Sequence, residues 1–174
     1  LKGASIIYEG AILLDNNIYI GEGSVIEPGA LIKGPVIIGN NTEVRQGAYI
    51  RGYSIVGDGC VVGHTTEMKN AIMLNGAKAG HFAYIGDSLL GNNVNLGAGT
   101  KLANFRFDGK DVILKIDGES YNTGLRKFGA ILGDGVQIGC NTVTNPGAII
   151  GKNSKVFPNT TVQPGFYPDS SKIL

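Results

Sequence analysis

The sequence predicts an all-β solenoid, a parallel β-helix of six-residue repeats, and three observations carry that prediction. Every sixth residue from Ile20 is apolar: Ile20, Ile26, Ile32, Ile38, Val44, Ile50, Val56, Val62, Met68 and Leu74. Four positions after each stand small or slim residues, Ser24, Ala30, Val36, Thr42, Ala48, Ser54, Cys60 and Thr66, as an interior corner requires. Turn residues recur at three times that period, at Gly21 Glu22 Gly23, Gly39 Asn40 Asn41, Gly57 Asp58 Gly59 and Asn75 Gly76, where Gly and Asn accept the left-handed backbone of a tight corner. A period of six means three short strands per coil, each coil burying the inner residues of its neighbours.

Taken along the chain, the comb predicts regular coils from Ile20 to Leu74. Between Leu74 and Leu90 the step is not a multiple of six, so a slip is expected there, around Lys78 Ala79 Gly80 His81 Phe82 Ala83 Tyr84. Breaks in a local rule tend to mark functional sites. From about 104 to 130 the comb is lost; Val112, Leu114 and Ile116 alternate before Asp117 Gly118, which predicts a hairpin-like excursion from the stack. The comb returns at Leu132, Ile138, Ile150, Val156 and Val162, with Thr144 in the one missing place. The expected organisation is one hexapeptide-repeat domain over 1–174.

Composition narrows the function classes. Fifteen Lys and Arg against fourteen Asp and Glu leave a net charge of +1, so no field of one sign draws the chain to nucleic acid or an anionic membrane. The apolar runs are short and broken, and no leader opens the chain, so a cytoplasmic protein is expected. Opening on Leu1, the sequence leaves a fragment and a processed product both open. Cys60 and Cys140 have neither disulfide-framework nor zinc spacing. With only His64 and His81, a three-histidine metal centre is not supported, and no metal is expected.

Two groups of residues suggest chemistry. Lys33, Arg51 and Lys69 are eighteen apart and should stack on one outer face, where cations about 4.8 Å apart repel by roughly 3 kcal/mol at an effective dielectric near 20. An anion would relieve this. A phosphate held by these residues answers the need, and so does pairing with Glu67 or splaying of the long side chains into solvent. His81, between Gly80 and the aromatic Phe82, is a candidate general base, because imidazole ordinarily titrates near neutrality; a structural histidine is the alternative.

The segments Glu67 Met68 Lys69, Lys78 Ala79 Gly80 His81, Tyr84 Ile85 Gly86 Asp87 and Asn93 Val94 Asn95 Leu96 Gly97 Ala98 Gly99 Thr100 resemble a known family. It is the acetyltransferase domain of the bifunctional glucosamine-1-phosphate N-acetyltransferase and N-acetylglucosamine-1-phosphate uridyltransferase. The resemblance implies a left-handed β-helix, a homotrimer with active sites between subunits, and acetyl transfer from acetyl-CoA to the amine of an amino-sugar phosphate. It assigns His81 as the base, Arg51 and Lys69 to the sugar phosphate, Tyr84 and Asn95 to the sugar, and Asn104 to the reacting groups. The role of Lys33 rests on the stacking argument alone. The run Asn104 Phe105 Arg106 Phe107 Asp108 Gly109 Lys110 resembles the archaeal-type branch, in which Lys110 matches a further active-site lysine. On the coenzyme side Cys140 matches a serine near the acetyl group, while Phe157 and Pro158 replace smaller groove residues. Nothing resembles the uridyltransferase nucleotide loop. A noncatalytic trimerisation and sugar-binding module, and an acyltransferase of sugar nucleotides, are the alternatives.

Overall fold

The computed structural model describes residues 4–174. It is a parallel β-solenoid of three sheets, with no helix among those residues. Sheet A has nine strands, sheets B and C eight each, and each coil passes from A through B to C. Every pairing within the three sheets is parallel and in register, for example Ile26 with Val44, Ile32 with Ile50 and Ile38 with Val56.

The apolar comb forms the core. Ile26, Ile32, Ile38, Val44, Ile50, Val62 and Met68 are fully buried. The slim residues occupy the interior corners, and their hydroxyls explain why many are polar. Ser24 donates to the Gly39 carbonyl and accepts the Thr42 N–H; Thr42 donates to the Gly57 carbonyl and accepts the Cys60 N–H. A hydroxyl thus satisfies backbone groups of the next coil that water cannot reach. Thr144, at the interrupted comb position, also points inward, and its Oγ1 has no hydrogen-bond partner among the described residues.

The corner from sheet C to sheet A carries the predicted turns. There the Asn40, Asp58 and Asn75 side chains accept the backbone N–H groups of Glu22, Asn40 and Asp58, each from the preceding coil, at 2.8, 2.6 and 2.9 Å. Asp134 accepts both the N–H and Nδ2 of Asn92, which holds its carboxyl below the usual range.

The slip is double: one short corner, from Ile85 to Leu90, falls inside the expected interval but after the stretch from Lys78 to Tyr84, and the other precedes Leu74. Leu74 is not a core residue: it is 38% exposed, and Met73, fully buried, pairs with Val56 and Leu90 instead. Two successive coils are therefore one residue short. The loss falls at the corner from sheet B to sheet C, where Met68 is followed by interior Ala71 and Ile85 by Ser88, while Ile50 is followed by Ser54. Six-residue counting cannot see this, because Leu74 is as apolar as the residue that replaces it in the core.

The excursion leaves after Leu102 on sheet B and returns at Ile131 on sheet C. It contains the antiparallel hairpin Ile113–Ile116 and Glu119–Asn122, whose turn residues Asp117 and Gly118 both have positive φ, as a tight hairpin requires.

One outward column differs from all others. On sheet C each rung presents one apolar side chain, in the order Tyr19, Ile37, Ile55, Ile72, Leu89, Ile131, Ile149, Phe166.

Candidate active site

Sheet B aligns the predicted cations. Lys33, Arg51 and Lys69 follow the in-register residues Ile32, Ile50 and Met68, so they form one outward column at about 4.8 Å per rung. The parallel column holds Tyr49, Glu67, Tyr84 and Lys101. Carboxylates relieve the repulsion within the ladder. Arg51 Nη1 lies 2.9 Å from Glu67 Oε1, and its guanidinium lies over the Tyr49 ring at 5.9 Å. Lys69 Nζ lies 3.2 and 3.3 Å from the two oxygens of Asp87. Lys33 stands at the exposed end of the ladder.

Asp87 is the centre of the site. Its side chain is 8% exposed, and besides Lys69 it accepts hydrogen bonds from Asn70 Nδ2, at 2.7 Å, and from Asn104 Nδ2. Asn104 also donates to the Tyr84 hydroxyl at 3.2 Å. Burial pushes the Tyr84 hydroxyl above the ordinary phenol range, against the opposing Asn104 hydrogen bond. Tyr84 therefore stays protonated, and because its oxygen already accepts from Asn104, its own proton is free for a ligand. Both ends of the excursion are fastened here: the Phe128 N–H donates to the Asn104 carbonyl and the Gly129 N–H to the Asp87 carbonyl.

His81 ends the sheet A strand Lys78–His81, and Tyr84 begins the sheet B strand Tyr84–Gly86, so the two flank one corner. At this corner other coils place Gly29, Gly47, Gly99, Asn141 or Asn159 in the left-handed region. The coils carrying the histidines place Thr65 and Phe82 there, at φ 52° and 54°. Such conformations in β-branched or bulky residues are strained and cluster at functional sites. His64 is held in place: its Nδ1 meets the Gln46 carbonyl at 2.8 Å, and its ring packs edge-on against Phe82 at 5.3 Å. His81, in register with His64, is exposed and makes no side-chain hydrogen bond among the described residues.

The remaining predicted residues stand apart from this cluster, joined to it by no hydrogen bond or ion pair among the described residues. Asn95 lies on the outer face of sheet A, one rung from Lys78. Cys140 is exposed and unpaired, in the same corner column as His81 and two rungs, about 10 Å, further along. Phe157, 45% exposed, and Pro158 line a shallow hollow of about 250 Å³ with Gln137 and Lys155. Lys110 lies on the excursion, beside Arg106 and Asp111.

Sequence reading assigned no role to Asp87 or Asn70. A signal was present: Tyr53, Asn70 and Asp87 all have positive φ and recur at seventeen where regular coils repeat at eighteen, so Asn70 and Asp87 mark the corners of the shortened coils.

The family described as the GMPPB C-terminal domain matches residues 32–119. The "Bifunctional protein GlmU" of Methanococcus maripaludis is 44% identical over 154 residues, covering 88% of this chain and 37% of that protein. The corresponding protein of Methanococcus aeolicus is 39% identical, covering 97% and 39%. A "Bifunctional sugar-1-phosphate nucleotidylyltransferase/acetyltransferase" of Sulfurisphaera tokodaii is 39% identical over 58% of this chain and 25% of its own length. The chain thus spans between a quarter and two fifths of these curated relatives. Among solved structures, the UDP-N-acetylglucosamine acyltransferase from Campylobacter jejuni superposes with a TM-score of 0.50 at 21% identity, over 93% of this chain and 69% of that one, which shows the shared solenoid fold. By the match over half its length, and by its kinship with archaeal bifunctional sugar-1-phosphate nucleotidylyltransferase/acetyltransferases, this chain belongs to the GMPPB C-terminal domain family.

Proposed function

We propose that this domain transfers an acetyl group from acetyl-CoA to the amine of an amino-sugar phosphate of the glucosamine-1-phosphate type, acting as a homotrimer. The observation that carries the reading is the continuous hydrogen-bonded set Lys69, Asp87, Asn104 and Tyr84, lying beside an exposed histidine at a strained corner. It offers a cation and a protonated hydroxyl across the sheet B face, with a base at the corner where that face begins, a combination suited to a phosphorylated sugar with a nucleophilic amine. The likeness to the bifunctional sugar-1-phosphate nucleotidylyltransferase/acetyltransferase of Sulfurisphaera tokodaii supports the same reading.

Arg51 and Lys69 take the phosphate, with Lys33 and Lys110 adding positive charge. Tyr84 donates to a sugar oxygen and Asn95 orients the ring. His81 accepts the amine proton as nitrogen attacks the thioester carbonyl carbon; Asn104 stands near the reacting groups. The new C–N bond forms as the C–S bond breaks, and the departing thiolate takes the proton from the imidazolium. No acyl-enzyme is needed, since the thioester is already activated and orientation supplies much of the rate. Cys140 and Phe157 border the coenzyme. The exposed Phe157, which narrows that approach, favours the second reading, a noncatalytic sugar-binding and trimerisation module.

The test is thiol release from acetyl-CoA with a panel of amino-sugar phosphates. His81→Ala is expected to lower turnover by about a hundredfold to ten-thousandfold, with sugar-phosphate affinity and assembly unchanged. Absence of thiol release by the wild-type protein, or a His81→Ala variant as fast as wild type, would replace the catalytic reading with the module.

A further inference from the structure

Phe82 stands where the solenoid has least use for a phenylalanine. Its backbone is left-handed, at φ 54°, and nearby coils meet the same corner with Gly29, Gly47 and Gly99. A bulky residue is strained there and glycine is not. Nor does the side chain join the core, since it is 54% exposed. What it touches is two imidazoles: its ring lies edge-on to His64, with centroids 5.3 Å apart, and tilted beside His81 at 6.3 Å. Both separations fall in the range of packed aromatic pairs.

The two histidines differ in how they are held. The Gln46 carbonyl can only accept, so His64 Nδ1 carries the proton of their 2.8 Å hydrogen bond. His64 Nε2 meets the Thr65 hydroxyl at 3.2 Å, and with both nitrogens engaged the ring is fixed. His81 has no such bond among the described residues, and the carboxylates of the site, Glu67 and Asp87, are paired with Arg51 and Lys69. A base must nevertheless present one nitrogen to its substrate within hydrogen-bond reach. With no polar group to orient it, the imidazole depends on packing, and the ring packed beside it is Phe82. His64, in register with His81 one rung away, braces that ring in turn, and its carbonyl accepts the Phe82 N–H at 2.9 Å.

We propose that Phe82 and His64 are positioning residues for the transfer: Gln46 anchors His64, His64 braces the Phe82 ring, and that ring holds the His81 imidazole in its working orientation. The proposal rests on the reading of His81 as the base. A strained, exposed aromatic at a corner that glycine fits better, and a fully engaged histidine one rung away, then have one cause.

Carbon-13 relaxation of labelled histidine tests this without recourse to activity, since the chain has 2 histidines and each gives its own signal. The His81 ring is expected to be ordered in the wild type, with an order parameter of about 0.85, and to fall below about 0.6 in Phe82→Gly and in His64→Ala. With acetyl-CoA and an amino-sugar phosphate, both variants should lose about tenfold to a hundredfold in kcat, as a misplaced base would, with KM for the sugar phosphate unchanged. The double variant should lose no more than Phe82→Gly alone, because both act through one ring. Phe82→Tyr keeps the ring and should keep the turnover. A His81 ring as ordered in either variant as in the wild type, a wild-type ring below about 0.6, or a Phe82→Gly variant as fast as wild type overturns the positioning. So does dissociation of the Phe82→Gly assembly in sedimentation, which would make the exposed ring a subunit contact. If the wild type releases no thiol, the proposed reaction falls instead, and the order parameters alone decide whether Phe82 and His64 hold the ring.

Discussion

Asp87 offers the sharpest test of the site, through the substitution Asp87→Asn. The carboxylate receives three donors, Lys69 Nζ, Asn70 Nδ2 and Asn104 Nδ2. An amide keeps one acceptor oxygen and turns an NH2 toward the other donors, so at least one of the three loses its partner. The left-handed backbone at φ 46° is no confounder, because Asn adopts it readily. Removing one partner of a fully buried ion pair costs about 3–5 kcal/mol. Here Asp87 is 8% exposed but Lys69 is 22% exposed, so the lysine keeps part of its hydration. The cost then falls toward that of a charge-assisted hydrogen bond, about 2–3 kcal/mol. For a chain of this size that is a fall in melting temperature of roughly 4–12 °C. The contrasting pair, Arg51 with Glu67, is 41% and 38% exposed, and Glu67→Gln should cost less than about 1 kcal/mol. Thermal unfolding followed by circular dichroism reads both variants, and a Lys69→Met, Asp87→Asn double-mutant cycle isolates the pair. An Asp87→Asn variant that melts within about one degree of wild type would show that the cluster does not order this corner.

The remaining predictions concern the coils. Met73→Ala should destabilise by about 2–5 kcal/mol, whereas Leu74→Ala should cost well under half as much, because only Met73 is in the core; equal losses in chemical denaturation would restore the strict six-residue count. Gly63→Ala should destabilise severely, since a Cβ there would stand 1.8 Å from the Gly80 carbonyl oxygen. Gly80→Ala meets nothing within 4 Å and should be neutral or stabilise by about 0.4–1 kcal/mol, a contrast that thermal melts of the two variants would expose.

The solenoid was legible in the sequence because its period is local. One residue in six faces the core whatever the rest of the chain does, and Ile26, Val44 and Val62 occupy the expected places. The hairpin was legible for the same reason, with Asp117 Gly118 between alternating apolar residues. The shortened coils were not, because Met73 and Leu74 offer equal hydrophobicity and only tertiary pairing chooses between them. Stacking of Lys33, Arg51 and Lys69 follows from counting, but their counter-charges do not. Glu67 is two residues from Lys69 and yet pairs with Arg51, while Asp87 reaches Lys69 across a coil of seventeen. Asn104 meets Tyr84 twenty residues away, at a corner whose shape is set by the short coils beneath the excursion.

Those short coils and the site have a common cause. Losing one residue at the corner from sheet B to sheet C draws Asn70 and Asp87 into the left-handed position that a longer corner assigns to Tyr53. A short polar side chain there folds back toward the prism, where a tyrosine projects into solvent, 74% exposed. Asp87 consequently faces the sheet B edge and gathers Lys69 and Asn104, while its carbonyl receives Gly129 and closes the excursion. The same two coils place Thr65 and Phe82 in strained conformations after the paired histidines. In a solenoid each coil is held only by its neighbours, so strain in adjacent coils must be offset by the regular coils on either side. The deep core from Ile26 to Val62 and the coils from Leu132 onward supply that support, which is why the irregular and chemically equipped coils lie in the middle of the stack.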